Sequence, residues 1–332
     1  MDLGIDLGTA NVLVALKDKG IVFREPSAVA YEKNTKNVIA YGGSAKMMLG
    51  KTPSSIVAIR PLKDGVIADF TATKLMLKSI VSKVCRRYRV FRPQVVVGVP
   101  SGISEVEERA VEEAIISSGA RSVYLIDEPM AAAIGSGLNV AEPSGNIIVD
   151  IGGGTTEVAV ISLGGTVISN SIKIAGDELT EDIINYAKKK LGIVIGENTA
   201  ETVKKEIGCA APLVVEEFRE IRGRDFFTGL PVVKDISSIE VEYAIKASID
   251  EIIDCIKQTL EQTPPELISD IAVKGIMLAG GGALIKNIDK YFQQKLDVPV
   301  YIAQDPLDCV ASGTRKMLED MDTLRKIAKF KI

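Results

Sequence analysis

Twice in this chain an apolar run ends in an aspartate with a glycine two residues on. The first copy is IDLGTANVLVAL, starting at Ile5, and the second is NIIVDIGGGTTEVAV, starting at Asn146. In both, small residues and hydroxyls follow the glycine, and a fresh β-rich run follows them. A glycine-bearing turn between strands aims several backbone N–H groups at one point, and the missing Cβ lets a phosphate approach that backbone. The aspartate does not itself favour a phosphate. It suits Mg2+, held directly or through water, because that ion keeps much of its hydration shell and takes few carboxylates. Two such turns facing each other, with Asp6 and Asp150 turned into the gap, would clamp a metal-triphosphate from opposite sides. One DxG alone reads equally well as a tight turn. The pair, joined by a third glycine turn at LAGGGAL from Leu278, favours the phosphate reading. A GxxxxGK[ST] loop is absent, and GxGxxG is missing from the first strand–helix turn, which argues against Walker-type and dinucleotide sites.

Around these turns the pattern alternates. Strand-like runs GIDL, NVLVALK, GIVFREPSAVAYE and NVIAYG open the chain, and a helical period runs through DFTATKLMLKSIVSKVCRRY. Next come QVVVGVP, a buried strand, and SEVEERAVEEAIISSG, a helix with Ser104 and Glu107 spaced as a capping box and Gly119 near its stop. From NIIVDIGGG the opening pattern restarts, which predicts a duplicated α/β unit with ligand between the halves. The stretch from about Gly176 to Lys246 reads as a helix-rich, charged insertion on the second half. The helix in EYAIKASIDEIIDCIKQTLEQ should stop before TPPE, and a last helix should run through ASGTRKMLEDMDTLRKIAKF.

Length and composition set limits. The 332 residues suffice for two compact domains, and 46% hydrophobic with 25% charged residues predicts a large core. The net charge of −4 carries no general attraction to nucleic acid, so no nucleic-acid partner is expected. The chain has no histidine, which removes Ser-His-Asp and Cys-His catalysis and most zinc sites. Four scattered cysteines without a CxxC read as reduced thiols of a cytosolic protein. The start, MDLGIDLG, lacks the features of a secretory signal, and no window approaches the ~20 apolar residues of a spanning helix. The expectation is a cytoplasmic protein for which a peripheral membrane contact stays open.

The trio DLGTAN, DIGGGTTE and LAGGGAL, in that order and spacing, resembles the ATPase superfamily shared by actin, the DnaK-type heat-shock chaperones and the sugar kinases. REPSAVA, PLKDGVIADF, VVVGVPSGISEVEERAV, DEPMAAAIGSGL and TAETVKKEIG narrow the resemblance to the MreB-type bacterial actins and their close paralogues, nearly end to end. The resemblance implies a duplicated actin-like α/β fold: two domains, each with a mixed five-stranded-type sheet flanked by helices, and a nucleotide cleft between them. It implies subdomain IA over 1–31, 66–141 and 311–332, IB over 32–65, IIA over 142–176 and 247–310, and IIB over 177–246. The cofactors it implies are ATP or ADP with Mg2+.

Carried onto this chain, the resemblance makes Gly8, Thr9, Ala10 and Asn11 the first phosphate loop, and Gly152, Gly153, Gly154 and Thr155 the second. Asp6 and Asp150 serve the metal side, and Gly280, Gly281, Gly282 and Ala283 line the adenosine. Glu201 and Lys204, on one helix face, reach the ribose and base; by spacing alone they read as an exposed salt bridge. Glu128 positions or polarises the attacking water, with Thr156 assisting, since phosphoryl transfer needs mainly positioning and charge neutralisation. Without the family, Glu128 reads as a helix N-terminal carboxylate favoured by the dipole. The chain departs from the family pattern at Val12, Ala279 and Asp127, where the family has threonine, threonine and glutamate.

The same resemblance implies a slow ATPase that polymerises into filaments, with paired protofilaments, at the inner face of the cell membrane, guiding cell-wall synthesis and so determining cell shape. Val90 and Phe91, between Arg89 and Arg92, match a loop that dips into the membrane; packing into the core is the alternative. The basic, apolar tail LRKIAKFKI offers a second contact or a solvated helix end. Two other functions compete. A chaperone-type ATPase module lacks the length here for a peptide-binding domain, and a small-molecule kinase would need a base beyond Glu128.

Overall fold

The computed structural model describes residues 2–85, 92–320 and 329–330. The first half begins with β1 (Leu3–Leu7), β2 (Asn11–Leu16), β3 (Gly20–Pro26), β4 (Val29–Glu32) and β5 (Val38–Tyr41). A single turn, α1 (Gly43–Lys46), leads to β6 (Ile56–Ile59) and the short pair β7 (Leu62–Lys63) and β8 (Val66–Ile67). Then come α2 (Phe70–Val84), β9 (Gln94–Val99), α3 (Glu105–Ser117), β10 (Ser122–Asp127) and α4 (Glu128–Ser136).

The second half restarts with β11 (Asn146–Ile151), β12 (Thr156–Ser162) and β13 (Gly165–Ile172), followed by α5 (Gly176–Tyr186). A π turn and β14 (Ile193–Val194) precede α6 (Glu197–Ile207), β15 (Phe218–Asp225) and β16 (Pro231–Ser237). The long α7 (Ser238–Glu261), α8 (Pro265–Lys274), β17 (Ile276–Ala279), α9 (Ile288–Leu296), β18 (Val300–Ile302) and α10 (Cys309–Glu319) complete the unit, with β19 (Lys329–Phe330) last.

Local chemistry explains the helix ends. Ser104 and Glu107 form the expected capping box on α3, and Ser237 with Glu240 forms another on α7. Asp69 caps α2 by accepting from the Ala72 N–H at 2.8 Å. Gly137, left-handed at φ 88°, ends α4, a conformation that costs glycine nothing.

The duplication is visible strand by strand. One sheet has the order β19-β10-β9-β1-β2-β3 and the other β18-β17-β11-β12-β13. In each, the aspartate-bearing strand pairs antiparallel with its successor and parallel with a strand that returns after helices. Even the irregularity repeats, with a register shift between Val14 and Ala15 in one sheet and between Val160 and Ile161 in the other. The first sheet has six strands rather than five because β19 adds antiparallel to β10.

Among the described residues, three large cores and a small alanine cluster hold the assembly. Leu3, Ile5, Met76, Leu77 and Val97 belong to one, and Ile147, Val149, Ile252, Phe292 and their neighbours to another. The third lies between the sheets, where α4 and α10 place Met130, Ala131, Ala132, Val310, Met317 and Leu318 against Val96, Ile126, Ile148 and Ala159. These helices cross in backbone contact: a Cβ on Gly135 would fall 1.8 Å from the Cys309 carbonyl oxygen, and one on Gly313 1.8 Å from that of Ala131.

Three expectations change. GIVFREPSAVAYE is not one strand: Pro26 ends β3, the Ser27 N–H turns to the Ala10 carbonyl, and β4 leaves for a separate small sheet ordered β5-β4-β6. The stretch from Gly176 to Lys246 is not simply helical, because β15 and β16 form a hairpin with β14 at its edge. Its alternation, FREIRGRD then PVVKDIS around Gly229, is the strand signal that the charge content obscured. The last helix also falls short of the expected run to Phe330: it ends at Glu319, Asp320 leaves the helical conformation, and Lys329 and Phe330 are strand, paired antiparallel with β10. Val90 and Phe91 lie outside the described residues, as does most of the tail. No helix among the described residues is long and apolar enough to cross a membrane. All four cysteines are free, three of them buried and Cys85 half-buried.

Candidate functional site

The two sheets face each other across a cleft of about 510 Å³, within the range of small-molecule sites. Its walls contain the turn after β1 (Gly8, Thr9, Ala10 and Asn11) and the turn after β11 (Gly152, Gly153, Gly154 and Thr155). Gly280, Gly281 and Gly282 form a third side, with Leu284, Ile285 and Leu307 giving it apolar surface. Asp6, Glu128, Asp150, Glu201 and Lys204 also line it.

The loops are closely fitted. A Cβ on Gly153 would come 2.6 Å from the Ala10 Cβ, and one on Gly154 2.9 Å from both the Asp64 nitrogen and Thr9 Oγ1. Gly280, at φ 78°, would drive a Cβ to 2.4 Å from Asp150 Oδ1. Hydrogen bonds hold the shape. Ser27 donates to the Gly8 carbonyl at 2.5 Å and the Gly65 N–H to Thr9 Oγ1 at 2.9 Å. The second loop receives the N–H groups of Gly176 and Asp177 on its Gly152 and Gly153 carbonyls at 3.1 and 2.7 Å. With its carbonyls so engaged, this backbone is pre-organised rather than mobile.

Four carboxylates gather at the floor. Asp6 ends β1, Asp150 stands in β11, and Glu157 lies directly across from Asp150 in the β11–β12 register. Glu128 opens α4. Burial pushes Asp6 up to about 8, helped by the charges of Asp150 and Asp308, and burial pushes Asp150 up to about 7. Glu157, 1% exposed, reaches about 8 through burial although the Ser101 N–H donates to it at 3.1 Å. Glu128 rises well above the usual range through burial first, then through Glu157, Asp6, Asp150 and Asp127. The α4 dipole favours its charge, but burial and repulsion win.

This donor set fits Mg2+. Hard carboxylate oxygens that repel one another out of water need a proton or a cation nearby. No group of three or more His, Cys, Asp or Glu among the described residues is disposed to hold a metal by itself. Ser101, whose N–H binds Glu157, also has its hydroxyl buried beside this floor.

Not every expected residue arrives as expected. Thr156 is fully buried, donates to the Ile174 carbonyl at 2.6 Å, and does not line the cleft; Thr155 does. The Ala283 side chain packs in the second core while its glycine neighbours face the cleft. Glu201 and Lys204 both line the cleft but do not pair with each other. Lys204 donates to the Gly176 carbonyl and to Thr180 Oγ1, and burial lowers it to about 8. Burial opposes ionisation of Glu201, yet hydrogen bonds from Lys205 and Lys46 outweigh it and hold this carboxyl at about 2. Glu157 closes the DIGGGTTE motif but drew no role from the sequence, and Lys46 carried no signal there. Glu157 follows two threonines as any strand residue might, and only the register opposite Asp150 reveals it.

The sequence model described as MreB/Mbl protein matches residues 1–326. The chain belongs to the MreB/Mbl family. The cell shape-determining protein Mbl of Bacillus subtilis (strain 168) is 49% identical over 325 residues, covering 98% of each chain. The cell shape-determining protein MreB of Escherichia coli (strain K12) is 50% identical over 328 residues, covering 97% of this chain and 94% of that protein. The crystal structure of MreB5 of Spiroplasma citri bound to ADP superposes with a TM-score of 0.91 at 42% identity, covering 98% of this chain and 97% of that one. A MamK double helical filament gives a TM-score of 0.81 at 25% identity, covering 96% and 98%. The two-sheet architecture with its duplicated strand order is therefore the actin-like fold of MreB/Mbl proteins.

Proposed function

We propose that this MreB/Mbl-family protein binds a magnesium-bound adenine nucleotide in the cleft, hydrolyses ATP slowly, and polymerises into filaments that help determine cell shape. The single observation that carries the reading is the closely fitted pair of glycine loops above Asp6, Glu128 and Asp150, with buried Glu157 beside them. Support comes from the relatives: MreB5 of Spiroplasma citri is described bound to ADP and, in a second structure, to AMPPNP, and MamK as a double helical filament.

In this reading the N–H groups of 8–11 and 152–155 bind the phosphates, and 280–282 with the apolar side chains beside them take the base. Glu201 and Lys204 approach the sugar. Asp6 and Asp150 would hold Mg2+ through its water shell, and the ion when bound neutralises phosphate charge. Glu128, in its ionised form, orients the attacking water and accepts its proton at the carboxylate. Thr156, with its hydroxyl on Ile174, contributes by anchoring β12 beneath the second loop.

The fourfold division belongs to the proposal: IA over 1–31, 66–141 and 311–332, IB over 32–65, IIA over 142–176 and 247–310, IIB over 177–246. Head-to-tail contacts between copies do not close, so they produce filaments, here as paired protofilaments. We place these at the inner face of the cell membrane, through Val90 and Phe91, guiding cell-wall synthesis. Two apolar side chains bind a bilayer weakly, and many copies along a filament bind it firmly.

Ultracentrifugal pelleting against protein concentration, with Mg2+ and ATP, tests the assembly. A critical concentration and filaments under the electron microscope are expected; peptide-stimulated turnover or sugar-dependent ADP release would point to the rival readings. Serine at both Val90 and Phe91 should release filaments from anionic liposomes without changing ATP binding.

A further inference from the structure

The small sheet β5-β4-β6 and its helical turn α1 stand on one side of the cleft mouth, and the α5–α6 shoulder stands on the other. Three ion pairs span the gap. Lys46, the last residue of α1, pairs with Glu201 of α6. Arg60, just past β6, sits 2.9 Å from Glu197 at the start of α6 and 3.3 Å from Asp177 at the start of α5. The small sheet has little holding it on its outer side. There the interior is Ala28, Ala30 and Ala45, and alanines contribute little burial. Its other face rests on the first-domain core through Val29 and Tyr31. Val38, Tyr41, Val57 and Ile59 seat that inner face as well, so it is the alanine side, with little apolar burial, that depends most on the ion pairs.

The pairs also touch the site itself. Glu201 and Asp177 line the cleft, and the Asp177 N–H holds the Gly153 carbonyl of the second loop. Lys46 is aimed by its own support, since Glu25 accepts from the Gly43 N–H at 2.9 Å and so caps the turn that carries the lysine. Both Lys46 and Glu201 are about one-fifth exposed, which shields their attraction from solvent more than a rim pair.

We propose that Lys46 and Arg60 form a latch across the cleft mouth, positioning residues that hold the small sheet against the α5–α6 shoulder and set how long a bound nucleotide is retained. The latch rests on the nucleotide reading for its consequence, but not for its existence. Closing it brings Glu201 to the cleft wall in one orientation. Opening it leaves Glu201 to Lys205 alone and loosens the cleft-mouth side of the small sheet, and the nucleotide leaves through the gap.

The test uses the full chain with Lys46→Ala, Arg60→Ala and the double variant, and reads release of a fluorescent ADP analogue after mixing with excess ADP. Pairs of this exposure change a rate by about twofold to fivefold each, so the double variant should release the analogue roughly tenfold faster. Salt should accelerate release from the wild type and leave the double variant nearly unaffected. Lys46→Arg, which keeps the charge and the reach, should restore slow release. Combining Arg60→Ala with Glu197→Ala should do no more than Arg60→Ala alone, and Glu197→Ala by itself should do less because Asp177 still holds Arg60. Hydrogen exchange of the amides in 29–59, measured without nucleotide, should quicken in the double variant. Unchanged exchange overturns the latch whether or not nucleotide binds. Quicker exchange with unchanged release upholds the contact and overturns its control of retention. A wild type that binds no analogue refutes the nucleotide reading, and with it the retention role, while exchange still decides the contact.

Discussion

Gly153 stands so close to Ala10 that a Cβ on the glycine would lie 2.6 Å from the alanine Cβ. The two loops of the duplicated unit therefore touch, and their contact sets the width of the cleft.

Alanine at Gly153 must push one loop back, which spoils the aim of the N–H groups on both. Overpacking of this kind costs about 1–3 kcal/mol. We expect G153A to bind ADP about tenfold more weakly by calorimetric titration, and an unaltered affinity would mean that the loops are free to part.

The crossing of α4 and α10 is stricter, because the atoms a new Cβ would meet are backbone. At Gly313 that Cβ would lie 1.8 Å from the Ala131 carbonyl oxygen, and no side-chain rotation relieves this. Gly313→Ala should destabilise the fold by about 3 kcal/mol, read as a lower urea midpoint, whereas alanine at Gly196, where a Cβ meets nothing within 4 Å, should be nearly silent.

The carboxylate floor predicts a pH dependence. The folded-state values of Asp6 and Glu157 are raised to about 8 and that of Asp150 to about 7, all above their unfolded values. The folded state then binds more protons than the unfolded state between roughly pH 4 and 8, so stability falls as pH rises through that window. Without Mg2+ or nucleotide, Tm should drop from pH 5.5 to 8.5. Mg2+ with ADP should flatten the slope. A Tm that climbs across this range would mean that these groups stay ionised in the folded protein.

Glu128→Gln keeps the size of the side chain and removes the proton acceptor. Loss of a general base lowers rates roughly 100-fold to 10,000-fold. Phosphate release should fall accordingly, with ADP affinity within about twofold of wild type, and continued hydrolysis would remove Glu128 from the chemistry.

Much of this was legible locally. DLGTAN, DIGGGTTE and LAGGGAL put glycines where a chain must turn tightly or admit a ligand, and all three reach the cleft wall. The capping box at Ser104 and Glu107 was readable because both partners lie within one turn of helix. The hairpin of β15 and β16 was readable too, but its arginines and acids masked an alternation in which Ile221 and Ile236 are the fully buried positions. Thr156 and Thr155 are adjacent and chemically alike. Thr155 still belongs to the glycine turn and its side chain lines the cleft, whereas Thr156 opens β12 and its hydroxyl binds the Ile174 carbonyl.

Sequence alone thus established a twofold α/β unit with paired acidic glycine turns, since those features depend on residues within a few positions of one another. Folding decided the rest. Glu157 joins the acidic floor only because β12 pairs with β11 in one register. Lys46 and Arg60 meet Glu201, Glu197 and Asp177 only when two remote segments are brought to one cleft mouth. Long-range charge pairs leave no periodic trace in the chain, because any exposed lysine or glutamate serves equally well until packing selects its neighbour.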